Sequence, residues 1–280
     1  LVGLLFFAKR YNDSYDLASQ ILAEEPDNHY MQRLQFYNKK ALEEKDAAKA
    51  AAEKLFANPT AQLNSQDYIQ YGELLQDMGS DTLAVEMYEK AVAVSPEKTS
   101  LLKDLSAAYS SAKMYDKAAD TMAKYIDSEG ENADPNDMLS LANRYKNLAI
   151  ANLDTDSVAS AAAAAKALQT IDKVIARISD NPMVLNTKSD ILRIAARGAV
   201  TPDVVAADET TLAVLDADPS NATNERRIPI YRAVLGRLGN YYLTTAKDVE
   251  KAKLYFQKFY EVSPSDDLKA FIDGLDANAK

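Results

Sequence analysis

Apolar residues recur along this chain at helical spacing, in stripes interrupted by short polar breaks. Tyr68, Tyr71 and Leu75 stand at i, i+3 and i+7; after a break, Ala84, Tyr88, Ala91 and Val92 stand at i, i+4, i+7 and i+8. This is the pattern of two consecutive amphipathic helices joined by a tight turn. The same block recurs 34 residues on, as Leu102, Leu105 and Tyr109 followed by Ala118, Met122, Tyr125 and Ile126. Gly72 then aligns with Ser106, Ala84 with Ala118, and Pro96 with Gly130. Small residues at fixed places in such a block are expected where two helix backbones approach closely. A third block carries Leu235, Leu238, Gly239 and Tyr242, then Ala252, Phe256 and Pro264, with one extra residue at the turn.

The order of these residues resembles the tetratricopeptide repeat (TPR), with its W-x2-L-G-x2-Y, A-x3-F and terminal proline. The resemblance implies an all-α fold: a right-handed superhelical solenoid of antiparallel helix pairs, read here as one array over residues 1–280. The clearest repeats are 65–98, 99–132 and 232–265. Degenerate repeats are read at 1–26, 27–62, 135–182 and 183–220, with a capping helix at 266–275 over the end of the stack. Pro182 arrives 41 residues after Leu141 where the clear repeats need 25. The excess falls around Asn152–Ser160 and the run Ala161–Ala165, which makes this the one candidate place for a bend. The polar stretch Asn221–Arg227 reads as a loop, and Pro229 suits a first helical turn because its missing N–H has no partner there.

In this family the first helix of each pair lines a concave groove and the second forms the outer wall. The resemblance therefore implies a binding surface for a protein or peptide partner, not an active site. Groove-facing side chains are expected one step off the packing stripe. That selects Ile69, Glu73 and Gln76, then Lys103 and Ser110, then Asn143 and Lys146, then Asn186, Ser189 and Arg193. Lys103 and Lys146 are the charges expected to meet a ligand, with Asn143 hydrogen-bonding its backbone. Chaperone-tail binders of the family present Lys-x3-Asn on one groove helix. Here Ala107 follows Lys103 and Leu139 precedes Asn143, so that activity is not carried over. The alternative is an envelope-associated module binding a glycan or peptide, which needs exposed aromatics. Tyr30, Tyr37, Tyr231 and Tyr241 lie off the packing stripe and are its candidates.

The remaining chemistry narrows the picture. The chain has 280 residues, 47% hydrophobic and 26% charged, enough to bury a core. A net charge of −10 argues against nucleic acid, which needs clustered cations, and against an anionic membrane surface. No stretch approaches the roughly 20 apolar residues of a membrane span. With one histidine, His29, and no cysteine, the usual zinc ligand sets cannot be built. No phosphate-cradling glycine loop or nucleophile elbow is present. No catalytic residue, metal or cofactor is expected, and the chain is read as a non-enzyme. Asp154-Thr155-Asp156 resembles the start of a calcium loop, but Ala165 stands where the bidentate Glu belongs; Asp156 or Ser157 is expected to cap a helix instead. Ser265-Asp266-Asp267 reads as another cap, and Asn12 and Asn221 head glycosylation sequons. The chain begins at Leu1, so it is read as a processed or cut product. Its acidic, tyrosine-rich, cysteine-free make-up looks like exported bacterial repeat proteins. The periplasm or cell envelope is therefore the expected location, with the cytoplasm as the alternative.

Overall fold

The computed structural model describes residues 1–278. Among them the chain forms fifteen α-helices, two short 3-10 turns and no strand. The helices are α1 (Val2–Phe7), α2 (Tyr11–Glu24), α3 (His29–Ala41), α4 (Lys45–Ala57), α5 (Ser65–Asp77), α6 (Asp81–Val94), α7 (Leu101–Ser111) and α8 (Tyr115–Glu129). They continue as α9 (Pro135–Asn152), α10 (Ser157–Arg177), α11 (Pro182–Ala195), α12 (Pro202–Asp216), α13 (Ile228–Thr244), α14 (Val249–Val262) and α15 (Asp266–Asn278). The 3-10 turns are Gly130–Asn132 and Pro219–Thr223.

The helices fall into two compact units, Leu1–Ser128 and a second beginning at Glu129. In the first unit α1, α3 and α5 each pack on the helix that follows, and α1 and α5 flank α3. The second unit repeats this arrangement: α9, α11 and α13 pack on α10, α12 and α14, α9 and α13 flank α11, and α15 lies on α14. The side-by-side first helices make one face of each unit.

What joins the two helices of a pair is legible in the glycines. A Cβ on Gly72 would lie 2.9 Å from the Tyr88 ring, and one on Gly239 would lie 2.7 Å from the Phe256 ring. At these two positions the small residue makes room for an aromatic ring of the second helix. In the repeat that has Ser106 instead, its buried hydroxyl donates to the Ala118 carbonyl at 2.7 Å.

The turns inside the pairs share a second device. Lys9, Glu43, Gly79, Lys113 and Arg197 sit in the left-handed region, with φ of 58°, 60°, 75°, 60° and 53°. In each case the next N–H reaches back to a carbonyl five residues earlier, as Glu44 to Lys39 at 3.1 Å and Met114 to Tyr109 at 2.8 Å. These bonds satisfy the orphan carbonyls at the helix end. Starts are capped by side chains: Asn28 accepts from Met31 N–H, and Asn64 and Asp67 form a reciprocal capping box. Asp156 caps α10 through the N–H groups of Val158 and Ala159, at 3.1 and 2.9 Å, and Pro229 lies in the first turn of α13.

The residues in excess between Leu141 and Pro182 are helical for the most part. They lengthen the pair itself: α9 has 18 residues and α10 has 21, against 13 and 14 for α5 and α6. Alanine has the highest helix propensity, so the run at 161–165 extends α10 instead of interrupting it.

Candidate functional site

The faces built by the first helices are where a groove belongs, and the two units treat them differently. In the first unit a polar ladder closes the seam between α3 and α5. Arg33 donates to both carboxylate oxygens of Asp67, at 2.6 and 2.8 Å, and to the Gln62 carbonyl at 2.7 Å. Tyr37, one turn on, donates to Asp67 at 2.8 Å. Lys40, one turn further, reaches Gln70 at 2.7 Å and pairs with Glu73. Asp67 is fully buried, so this rung is a desolvated, charge-assisted clasp and not a surface ornament. The bond to Asp67 raises the Arg33 pKa, and burial followed by the Asp67 charge pushes the Tyr37 phenol well above its ordinary value.

This ladder absorbs part of the expected groove. Glu73 is engaged by Lys40, Ile69 packs against the core cluster around Leu75 and Tyr88, and Gln76 accepts the Tyr88 hydroxyl at 3.1 Å. Lys103 on α7 lies over the Tyr125 ring of α8, 5.3 Å from its centroid, and Ser110 is half-buried near the end of α7. Beside Lys103, Asp104 has its pKa raised by burial and by the charge of Glu73. The seam around α5 and α7 is therefore acidic as well as basic.

In the second unit the corresponding face opens. A cleft of about 290 Å³ lies between α9 and α11, lined by Lys146, Ile150 and Leu153 on one side and Asp190, Arg193, Ile194 and Gly198 on the other. Two of the expected groove cations, Lys146 and Arg193, thus meet in one place. Ile150 is half exposed and makes an apolar shelf beside them. The Nε of Arg193 is buried and has no hydrogen-bond partner among the described residues. A buried donor without an acceptor costs about 1–3 kcal/mol.

Behind this cleft sits a network absent from the sequence reading. Arg237 of α13 donates to both oxygens of Asp208 at 2.7 and 2.6 Å, to Asn186 at 2.7 Å and to Asp190 at 3.2 Å. Asp208 is fully buried and the Arg237 side chain is 10% exposed. Asn186 is consequently a strut between α11 and α13 rather than a free groove contact. Ser189 corrects the expectation outright: it is 0% exposed, because α11 is flanked by both α9 and α13. Asn143 remains half-buried on α9. The signal that would have found the first clasp is the repeat itself, since Arg33 and Asp67 are 34 residues apart; Arg237 and Asp208 are 29 apart and leave no such imprint.

Three of the four aromatic candidates are engaged within their own units. Tyr231 is 2% exposed and donates to Asp216, and Tyr37 donates to Asp67. Tyr30 is 49% exposed at the edge of the first unit, while Tyr241 packs edge-on against Tyr242 in the second. His29 begins α3. The Asn12 sequon is compromised by Ser14, whose buried hydroxyl is bonded to the Val2 carbonyl, and the Asn221 amide donates to the Leu215 carbonyl. Among the described residues no cluster of His, Cys, Asp or Glu could hold a metal ion, and no helix is long and apolar enough to cross a membrane.

No protein-family model matches the chain, and no curated protein matches it. Solved structures do. The C-terminal part of a TPR repeat-containing protein from Cytophaga hutchinsonii superposes with a TM-score of 0.72 at 19% identity, over 98% of each chain. A tetratricopeptide repeat protein from Parabacteroides merdae matches over 98% of this chain and 95% of its own, with a TM-score of 0.53 at 13% identity. YrrB, described as a TPR protein with an unusual peptide-binding site, matches 67% of this chain and 88% of its own, with a TM-score of 0.53 at 16% identity. The fold is that of TPR solenoids.

Proposed function

We propose that the protein is a non-catalytic interaction scaffold and that the α9–α11 cleft is a contact point for a peptide segment of its partner. The observation that carries this reading is the buried, unpartnered Nε of Arg193 in a cleft it shares with Lys146 and an apolar shelf. A segment with a carboxylate next to an aliphatic side chain supplies what is missing: an acceptor for Arg193, a counter-charge for Lys146, and a filling for the space against Ile150, Leu153 and Ile194. Asp190, already drawn towards Arg237, keeps the cleft from being purely cationic and so disfavours a bare inorganic anion. The peptide site ascribed to YrrB lends the reading support by likeness of fold alone. The net charge of −10 supports a protein partner over nucleic acid.

Asn143, on the same helix as Lys146, belongs to this proposal as a secondary contact, and Lys103 is a candidate contact of the first unit by itself. The glycan alternative loses support, because two of its four tyrosines are committed to internal hydrogen bonds.

The test is capture of an acidic–aliphatic peptide by fluorescence anisotropy. Replacing Lys146 and Arg193 together by Glu should weaken capture at least about tenfold, roughly 1.4 kcal/mol, with far-UV circular dichroism unchanged. Undiminished binding by the Lys146→Glu/Arg193→Glu protein would move the site elsewhere.

A further inference from the structure

A second cleft, of about 470 Å³, lies among α10, α11 and α12 and shares no lining residue with the first. On α11 the two take opposite sides. At 100° per residue, Leu185, Lys188 and Leu192 point away from Asp190, Arg193 and Ile194. All three walls present the same span: Leu168 to Ile175 on α10, Leu185 to Leu192 on α11, Asp203 to Thr210 on α12. Each is two helical turns, or about 10.5 Å. Three helix faces of equal length surround a space in which a fourth is missing.

The lining says what would fill it. Leu168, Ile175, Leu185 and Leu192 make it apolar, and Ala206 and Ala207 keep the α12 wall low enough for side chains to enter. Thr210 donates its hydroxyl to the Ala206 carbonyl of its own helix at 2.8 Å, so it offers an incoming group little. Charge is confined to the rim. Asp172 is paired with Lys188 at 2.8 Å, whereas Asp203 is exposed and has no ion-pair partner among the described residues. The rim therefore carries one unbalanced negative charge next to an apolar trough.

We propose that this cleft docks a two-turn amphipathic helix of a partner protein, with two large aliphatic side chains one turn apart and a basic residue beside them facing Asp203. The occupant follows from the length of the walls, the helix-sized repeat of the lining and the charge left on the rim. Such a site would let one repeat pair hold two partners at once, one on each side of α11.

The experiment uses a fluorescein-labelled 14-residue helical peptide with two leucines at i and i+4 and one flanking arginine, and a second peptide with glutamate in place of that arginine. The wild-type chain should bind the arginine peptide saturably. Ala206→Leu fills the trough from an exposed position that the fold tolerates, and should weaken binding by about tenfold or more, the value of a methylene or two in an apolar pocket. Asp203→Lys should weaken the arginine peptide about fivefold and strengthen the glutamate peptide, within the range of exposed ion pairs. The Lys146→Glu/Arg193→Glu protein should bind the arginine peptide normally, which separates failure here from failure of the first cleft. No saturable binding, or equal binding by Ala206→Leu, overturns the proposal. Binding indifferent to the charge swap also overturns it, in favour of an uncharged apolar small molecule. A dimer in light scattering that Ala206→Leu dissociates would assign the cleft to a second copy of the chain instead.

Discussion

The Arg237–Asp208 clasp sets a demanding test of how the second unit is held together. Asp208 has no exposed surface, and Arg237 makes two of its four bonds to it. Breaking a buried pair by removing one member costs about 3–5 kcal/mol, because the other charge stays behind without compensation. Arg237 would keep Asn186 and Asp190, and is 10% exposed, so Asp208→Ala belongs near the lower end, at about 3 kcal/mol. Arg237→Met should cost about as much, since it strands the Asp208 carboxylate among α11, α12 and α13. Replacing both by apolar residues removes the stranded charge, so Asp208→Leu/Arg237→Met should be less damaging than the sum of the singles by about 2 kcal/mol or more. Urea unfolding followed by far-UV circular dichroism reads this directly, fitting the transitions of the two units separately if they part. Single variants that lose less than about 1 kcal/mol, or a double variant equal to the sum, would refute the assignment of a desolvated, coupled pair.

Three further outcomes follow from the packing and the turns. Gly239→Ala should destabilise by about 1–3 kcal/mol through its clash with the Phe256 ring, and Phe256→Leu should relieve part of that loss in thermal melts; no rescue would mean the ring is not the obstacle. Glu43→Gly and Lys113→Gly should each raise stability by about 0.5 kcal/mol, since relief of about 1–2 kcal/mol of left-handed strain exceeds the entropy that glycine adds to the unfolded chain; a loss of stability would contradict the φ of 60° at each. Tyr231 and Tyr255 are pushed up to about 12, each first by burial and then by its carboxylate neighbour, Asp216 or Glu209. Their folded values exceed the unfolded value of 10, so the stability they lend is complete below pH 10 and is lost as pH rises towards 12. Ultraviolet titration should show a late tyrosine step coinciding with alkaline unfolding, and a single step near pH 10 for every tyrosine would count against it.

The pairing of helices was legible in sequence because it is a local event. An aromatic ring on the second helix needs a glycine 16 or 17 residues earlier, as at Gly72–Tyr88 and Gly239–Phe256, and where serine replaces it Ser106 bonds Ala118 instead, so each repeat carries a local imprint. Capping is equally local, and Asp156 and Pro229 sit where their chemistry required. The turns were less readable. Lys9, Glu43, Lys113 and Arg197 take a conformation that glycine or asparagine would have advertised, and the helix-end bonds they complete hold them there in spite of their type.

The candidate site was harder for a different reason. Choosing groove residues one step off the packing stripe treats each helix pair as if it stood alone. In the stack a first helix is flanked on both sides by first helices of neighbouring repeats, so its lateral faces belong to seams and only a narrow strip stays open. Ser189 on α11 falls into a seam and is buried, while Asn186 bridges one through Arg237. Glu73 is likewise taken by Lys40 of the preceding repeat. Lys146 and Arg193 escape because they lie towards the C-terminal ends of α9 and α11, where the longer α9 carries Ile150 and Leu153 alongside and the seam opens into a cleft. The lengthened α9–α10 pair thus supplies the apolar wall of this candidate site. A shorter α9, ending before Ile150, should lose that wall while leaving Lys146 and Arg193 in place, so the charges alone would then be left to hold a partner.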